Sequence, residues 1–349
     1  MTDTKRPSFS CDYMEGALPQ ILDRLVKTNM MQSPGYGTDD ITLSAKEKIR
    51  EACGAPDADV FFLVGGTQAN ATVIDALLKS YEGVLAAVTG HVAIHEAGAI
   101  EASGHKVLTL PPHDGKVDPK EVEAWLDNFS RDGTKDHMVQ PGMLYISQPT
   151  EYGTLYSLAE LEELHRICRQ YGLPLFVDGA RLAYGLASEE NDVSLKDLAR
   201  LCDVFYIGGT KCGALIGEAV VIPQHDYIPH FFTIIKQHGA LLAKGRIAGI
   251  QFDELFTDNL YLKAGRHGME AAARIRKALK DNGYEIPLDS PTNQLFVVLD
   301  DAEKARIGEE VELGFWENLP DGRTIMRIAT SWATTEESVD RLIAVLEKH

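Results

Sequence analysis

Positive charge is what this chain is short of. Its 34 lysines and arginines stand against 52 aspartates and glutamates, a formal net charge of −18 at pH 7. Nucleic acid and anionic membrane surfaces both require a basic face, so neither is expected as a main partner. Long apolar runs are missing too: none approaches the roughly 20 residues that a membrane-spanning helix needs. The opening MTDTKRPSFS lacks the apolar centre of a secretion signal, which makes a cytoplasmic protein the expectation. Cysteine is scarce and scattered, at positions 11, 53, 168, 202 and 212 with no CxxC, and suggests neither a disulfide framework nor a zinc site. The eleven histidines include no HExxH, so no catalytic metal is expected.

What is present is a globular chain of 349 residues, 44 % apolar, long enough for two domains. Short apolar runs at 60–64, 84–88, 107–110, 143–147, 175–177, 204–207 and 219–222 alternate with helical patterns such as 43–52, 71–79, 96–104, 118–126 and 158–171. That alternation predicts a mainly parallel sheet with helices on both faces. A long helical pattern, 258–282, is closed by Gly283 and leads to a second group of strands, 295–299, around Phe315 and Trp316, and 324–329, before a final helix from Thr335. The chain divides into an arm at 1–40, a large α/β domain at 41–257, and a linking helix with a small C-terminal domain at 258–349.

The chemistry gathers at strand ends, where open α/β sheets bind ligands. PLFVDGAR ends a strand at Asp178, and CDVFYIGGTKCG ends another with Lys211 after Gly208, Gly209 and Thr210. The 33 residues between them (211 − 178) leave room for one helix and one strand. An aspartate at a buried edge needs a cationic partner. Pyridoxal phosphate answers both residues: its aldehyde takes the lysine as a Schiff base, and its ring nitrogen stays protonated beside the carboxylate, so the ring can accept electrons. Upstream, Gly65-Gly66-Thr67-Gln68 lies between a strand and a helix, where unpaired backbone N–H groups make an anion site. The loop is neither GxGxxG nor a Walker loop. A single phosphate held by Gly66, Thr67 and Gln68 is the expectation.

Other strand ends supply further candidates. His91, just past 84–88, can stack on a planar ring, with His95 as its rival. Glu151 follows 143–147 in the polar stretch QPTEYGT. Arg327 leaves its strand on the face opposite to Met326 and Ile328, and an arginine on a half-buried strand requires an anion, either a structural partner or a substrate carboxylate. Lys236, Lys244 and Arg246 are either a solvated basic face or a reach toward phosphate. Tyr36 sits in SPGYGTD, a surface loop or a loop held against something.

VDGARLA, GGTKCGALIGEA, GGTQANATVIDAL and SQPTEYGTLYS resemble the low-specificity threonine aldolases, in particular the branch that includes phenylserine aldolases, from about Phe9 to the C-terminal helix. The resemblance implies the aspartate-aminotransferase fold, pyridoxal phosphate fold type I, with a seven-stranded sheet in the large domain. It implies cleavage of L-threonine, L-allo-threonine or related β-hydroxy-α-amino acids to glycine and an aldehyde. By the same resemblance His91 stacks on the pyridine face, Arg327 grips the substrate carboxylate, and a basic residue after Ile222, Lys244 before Lys236, reaches phosphate in a neighbouring subunit. Tyr36 helps complete a site near the subunit boundary, so a homo-oligomer, dimer or tetramer, is implied. Arg181 binds either the carboxylate or the 3′ oxygen region of the cofactor. Two departures stand out. Cys11, whose thiol is a weaker donor than a hydroxyl, precedes Asp12 where the family commonly has serine. Glu151 stands where the other branch has histidine, which leaves the general base open between His91, Glu151 and water. A β-eliminating lyase or an aminotransferase would use the same Asp, Lys and phosphate loop, and a catalytically silent binding homologue is the remote alternative.

Overall fold

A computed structural model of the protein describes residues 6–348. After β1 (Ser8–Phe9) come β2 (Asp59–Leu63), β3 (Glu82–Ala87), β4 (Lys106–Leu110), β5 (Gln140–Ser147), β6 (Leu175–Asp178), β7 (Val204–Gly208) and β8 (Glu218–Ile222). β2 to β8 form one seven-stranded sheet in the order β2-β8-β7-β6-β5-β3-β4. Neighbours from β7 to β4 are parallel, and β8 runs antiparallel to both β7 and β2.

Burial explains the run-like strands. β6, β7 and β8 are buried at every position, as a sheet covered on both faces requires. Alternate residues serve alternate faces: Leu144 and Ile146 pack with Leu161 and Leu164 of the helix Leu158–Tyr171, whereas Met143 and Tyr145 pack with Val73 and Ile74 of the helix Gly66–Leu77. Ser157 and Glu160 close a capping box at the start of Leu158–Tyr171, and Cys168 is buried in the core as its place on the apolar face predicts.

The chain steps outward from β3 to β4 but the other way from β5 through β6 to β7. Strand order therefore reverses between β3 and β5, and the crevice at their carboxyl ends is the expected ligand site.

A second sheet, in the order β1-β10-β11-β9, combines β1 with β9 (Gln294–Leu299), β10 (Glu312–Asn318) and β11 (Thr324–Ala329). β1 pairs in parallel with β10, which ties the start of the arm to the C-terminal strands. The helices Leu260–Asp281 and Glu336–Leu346 cover one face of this sheet through Ala272, Ile275, Val339 and Leu342. Phe296 and Trp316 on its other face meet Tyr152 from beyond the end of β5.

Two local expectations are corrected. The helix expected at 71–79 begins at Gly66, so the Gly-Thr-Gln stretch is its first turn rather than a loop before it. Of the helix expected at 96–104 only Ala99–Ala102 forms, and Ala97 (φ 51°) and Gly98 (φ 74°), both left-handed, separate it from the preceding four-residue helix His91–Ile94.

Candidate active site

Lys211 is carried on the turn after β7. Two glycines bring that turn in: a Cβ on Gly208 would lie 2.4 Å from the Ala180 carbonyl oxygen, and one on Gly209 would lie 2.6 Å from that of Gly217. The Tyr184 hydroxyl donates to the Lys211 carbonyl at 2.7 Å. Burial, and then the charge of Arg181, lowers the Lys211 pKa, which favours the neutral amine needed to attack a carbonyl.

Asp178 ends β6 beside it. Within the chain this carboxylate is met by hydrogen bonds. Tyr145 donates to Oδ2 at 2.6 Å and Asn70 at 3.0 Å, while Tyr206 donates to Oδ1 at 2.5 Å and the Ala180 N–H at 2.9 Å. Burial opposes ionisation, yet His91 and the two tyrosine hydroxyls outweigh it and hold the pKa below the usual value.

The Asn70 amide also donates to Glu96 Oε1 at 2.6 Å, and the same oxygen lies 2.7 Å from His91 Nδ1. His91 is thus held by a buried carboxylate that is itself linked to Asp178. Its backbone N–H donates to Glu151 Oε1 at 2.9 Å, and Ser147 Oγ donates to the same atom at 2.7 Å. Glu151 is buried. Desolvation raises its pKa, and Asp178 adds to this against the opposing bond from Ser147.

The two arginines differ in kind. Arg181 makes a fork to Asp12, Nε to Oδ2 at 2.7 Å and Nη2 to Oδ1 at 3.0 Å, so its charge is already matched inside the chain. Arg327 has two neutral acceptors, the Ser10 carbonyl at 2.7 Å and Gln294 Oε1 at 3.3 Å, and its buried Nε has no partner. Among the described residues no carboxylate forms an ion pair with Arg327. Burial and the nearby Arg181 lower its pKa, the signature of a cation that lacks its anion. Its guanidinium stands 5.4 Å from the ring of Trp316.

These side chains line two cavities that share Tyr13, His91, Glu151, Arg181 and Lys211. The inner one, about 230 Å³, adds Gly66, Thr67, Asp178 and Thr210. The outer one, about 580 Å³, adds His95, Tyr152, Trp316 and Arg327. The inner cavity fits pyridoxal phosphate. It combines a lysine with a lowered pKa, a carboxylate held ionised for a ring nitrogen, and a helix start with Thr67 and Thr210 for a phosphate.

Four expected site residues stand apart from these cavities within one chain. Gln68 turns its Oε1 back to the Val64 N–H at 3.0 Å and fastens the strand-to-helix turn. Cys11 is partly exposed and lines neither cavity, whereas its neighbours Asp12 and Tyr13 do the contacting. Tyr36 packs under Lys236, whose Nζ lies 4.7 Å from its ring centroid, in a separate groove with Phe61 and Phe232. Lys244 is exposed and lines neither cavity. Sequence reasoning passed over Asp12, Asn70, Glu96, Tyr145 and Tyr206. The two tyrosines carried a usable signal, each lying two residues before the end of a strand that flanks Asp178, hence on one face.

Residues 9–302 match the model of the beta-eliminating lyase family. Over 347 residues, 99 % of this chain and 98 % of the other, the chain is 28 % identical to a low specificity L-threonine aldolase of a Pseudomonas species. The structure of Leishmania major threonine aldolase superposes with a TM-score of 0.94 at 44 % identity, covering 98 % of this chain and 99 % of that one. A Thermus thermophilus aspartate aminotransferase variant, at 16 % identity and TM-score 0.71 over 98 % of this chain and 91 % of its own, shares the fold alone. The architecture is thus the aspartate-aminotransferase fold that the sequence motifs implied. With the family model spanning most of its length and so large a share of positions in common with the Leishmania structure, the chain belongs to the beta-eliminating lyase family and, within it, to the threonine aldolases.

Proposed function

We propose that this protein cleaves L-threonine and related β-hydroxy-α-amino acids to glycine and an aldehyde, with pyridoxal phosphate in the inner cavity. The observation that carries this is Arg327. A half-buried arginine whose buried Nε is unpartnered faces the same cavity as Lys211 and Glu151, which suits a substrate that brings its own carboxylate.

When bound, the cofactor supplies a sink for the electron pair that the Cα–Cβ bond releases. Lys211, its pKa lowered by burial, would hold the cofactor through its aldehyde. Asp178 stays ionised and keeps the ring nitrogen protonated. Gly66, Thr67 and Thr210 hold the phosphate, and His91, braced by Glu96, offers a flat face to the ring. Arg327 would fix the substrate carboxylate and with it the orientation of the bonds at Cα. Glu151 takes the β-hydroxyl proton as the carbonyl forms, directly or through one water. Arg181, matched by Asp12, lines the wall between the two ligands.

Tyr36 and Lys244 act in this scheme across a subunit boundary. The arm leaves Val26 77 % and Met30 88 % exposed, and a second copy of the chain is the partner that covers them. The active unit is a homo-oligomer, dimer or tetramer. A fully active monomer in sedimentation at assay concentration would contradict this. A reducing compartment such as the cytoplasm suits its five unpaired cysteines.

Incubation with L-threonine, L-phenylserine, L-serine and L-tyrosine tests the reaction. Glycine with acetaldehyde or benzaldehyde is expected. Pyruvate or a keto acid as the main product would instead mark a β-eliminating lyase or an aminotransferase.

A further inference from the structure

A buried acid lies where a phosphate site has least use for one. Glu218 opens β8 and is 3 % exposed. Its register partners are Leu63, the last residue of β2, and Gly208, the last of β7. It therefore sits between the two strands that deliver Gly66 and Thr67 on one side and Thr210 and Lys211 on the other, and all five residues line the inner cavity. Its Oε2 accepts the Gly209 N–H at 3.0 Å, so the carboxyl is anchored from the rear by the turn that carries the lysine. An ionised carboxylate at this place would repel a phosphate. A neutral carboxyl has an O–H to give.

We propose that Glu218 is a cofactor-binding residue, held protonated in the inner cavity so that its O–H donates a hydrogen bond to the phosphate of pyridoxal phosphate. The inference rests on the assignment of pyridoxal phosphate to this cavity, with its phosphate at Gly66 and Thr67. The electrostatic setting agrees with the geometry. Burial pushes the Glu218 carboxyl up to about 8, against the Thr210 hydroxyl, the Lys211 charge and the Gly209 N–H, while Asp178 pushes in the same direction as burial. Tyr206, Cys212 and Tyr261 are the other titratable groups whose fields meet it. Pairing a neutral acid with a phosphate couples cofactor retention to a proton. Raising the pH past about 8 removes the donor and sets a negative charge in its place.

Full-length protein stripped of cofactor tests this with pyridoxine 5′-phosphate, which has no aldehyde to react with Lys211, and with pyridoxine, which has no phosphate. Dissociation constants are measured by equilibrium dialysis from pH 7 to pH 9. Above pH 7 the phosphate is already largely dianionic, since its second pKa is about 6. Wild-type protein should lose about tenfold in affinity for the phosphate ligand over this range, the loss expected when a group of pKa about 8 must be protonated to bind. Binding of pyridoxine should stay flat. Glu218→Gln, which keeps an N–H donor, should bind the phosphate ligand about as well as wild type at pH 7 and lose the pH dependence. An equal pH dependence in Glu218→Gln would assign the proton to Lys211 and overturn the proposal. So would markedly tighter binding by Glu218→Gln at pH 7, which would mean that the wild-type carboxyl is ionised there. If the variant does not fold, proton uptake by wild-type protein on binding pyridoxine 5′-phosphate at pH 8.5 decides, and its absence overturns the proposal. Failure to prefer the phosphate ligand over pyridoxine at any pH would overturn the phosphate assignment itself. A retained preference with flat pH dependence overturns only the role of Glu218.

Discussion

Arg181 and Asp12, 169 residues apart, form a buried fork with Nε–Oδ2 at 2.7 Å and Nη2–Oδ1 at 3.0 Å. Asp12 also takes the Asn293 amide at 2.9 Å, so one carboxylate joins the N-terminal arm, the strand-end turn after β6 and the start of β9. The fork consumes the charge of Arg181 inside the protein and leaves Arg327 as the guanidinium in need of an anion.

Breaking the fork from one side should be costly. Asp12→Ala leaves a buried, uncompensated guanidinium, and a loss of about 3–5 kcal/mol in denaturant unfolding is expected. The pH dependence has a definite sign. The Asp12 pKa lies below its usual value, because Arg181, Lys211 and Asn293 together outweigh the burial that would raise it. Its contribution is therefore complete above the unfolded carboxylate pKa of about 3.9 and is lost as pH falls below that toward the folded pKa. Unfolding of the Asp12→Ala protein should lack this acid-dependent component. An acid limb as steep as that of wild type would mean that the pair adds no stability.

Lys211 is expected to be the residue that borohydride joins to the cofactor, with the label recovered on its peptide after digestion. Lys211→Ala should retain phosphate-dependent cofactor binding yet show no cleavage. Label on Lys236 or Lys244 would sink the assignment.

Arg327→Ala should raise KM for threonine strongly while bound cofactor stays in place. Loss of a charged hydrogen bond costs about 1.5–3 kcal/mol, or roughly 10- to 150-fold. The lysine variant should recover part of the affinity as a point charge without the fork. Loss of cofactor at unchanged KM would show that Arg327 serves the cofactor instead.

Glu151 and His91 can be separated by substitution. Glu151→Gln should lower kcat by about 10²-fold or more, the range for a lost acid–base group, with substrate binding retained. Since burial raises the Glu151 pKa, wild-type kcat should fall as pH drops through that raised value, and the glutamine variant should lose this limb. His91→Phe preserves a flat ring and should keep measurable turnover. A dead phenylalanine variant beside a nearly normal glutamine variant would make His91, or a water it holds, the base.

The apolar runs, the Gly-Gly before Lys211 and the Asp ending PLFVD were enough to place a lysine and a carboxylate at strand ends, because period, burial and turn chemistry are local properties of the chain. The side of β11 from which Arg327 leaves was legible for the same reason. Tertiary structure alone decided which strand ends become neighbours. Strand order brings β2, β8 and β7 together, and so sets Glu218 between Gly66 and Lys211. It brings Asn70, in the helix after β2, between Asp178 and Glu96, and it gives Arg181 a carboxylate from the arm while leaving Arg327 with neutral acceptors and an unpartnered Nε. The start of the helix at Gly66 and the turn of the Gln68 side chain back to Val64 were also decided by packing. A charge shows its type in the sequence, but what it does depends on whether burial leaves it paired, and pairing across more than a hundred residues is a property of the fold.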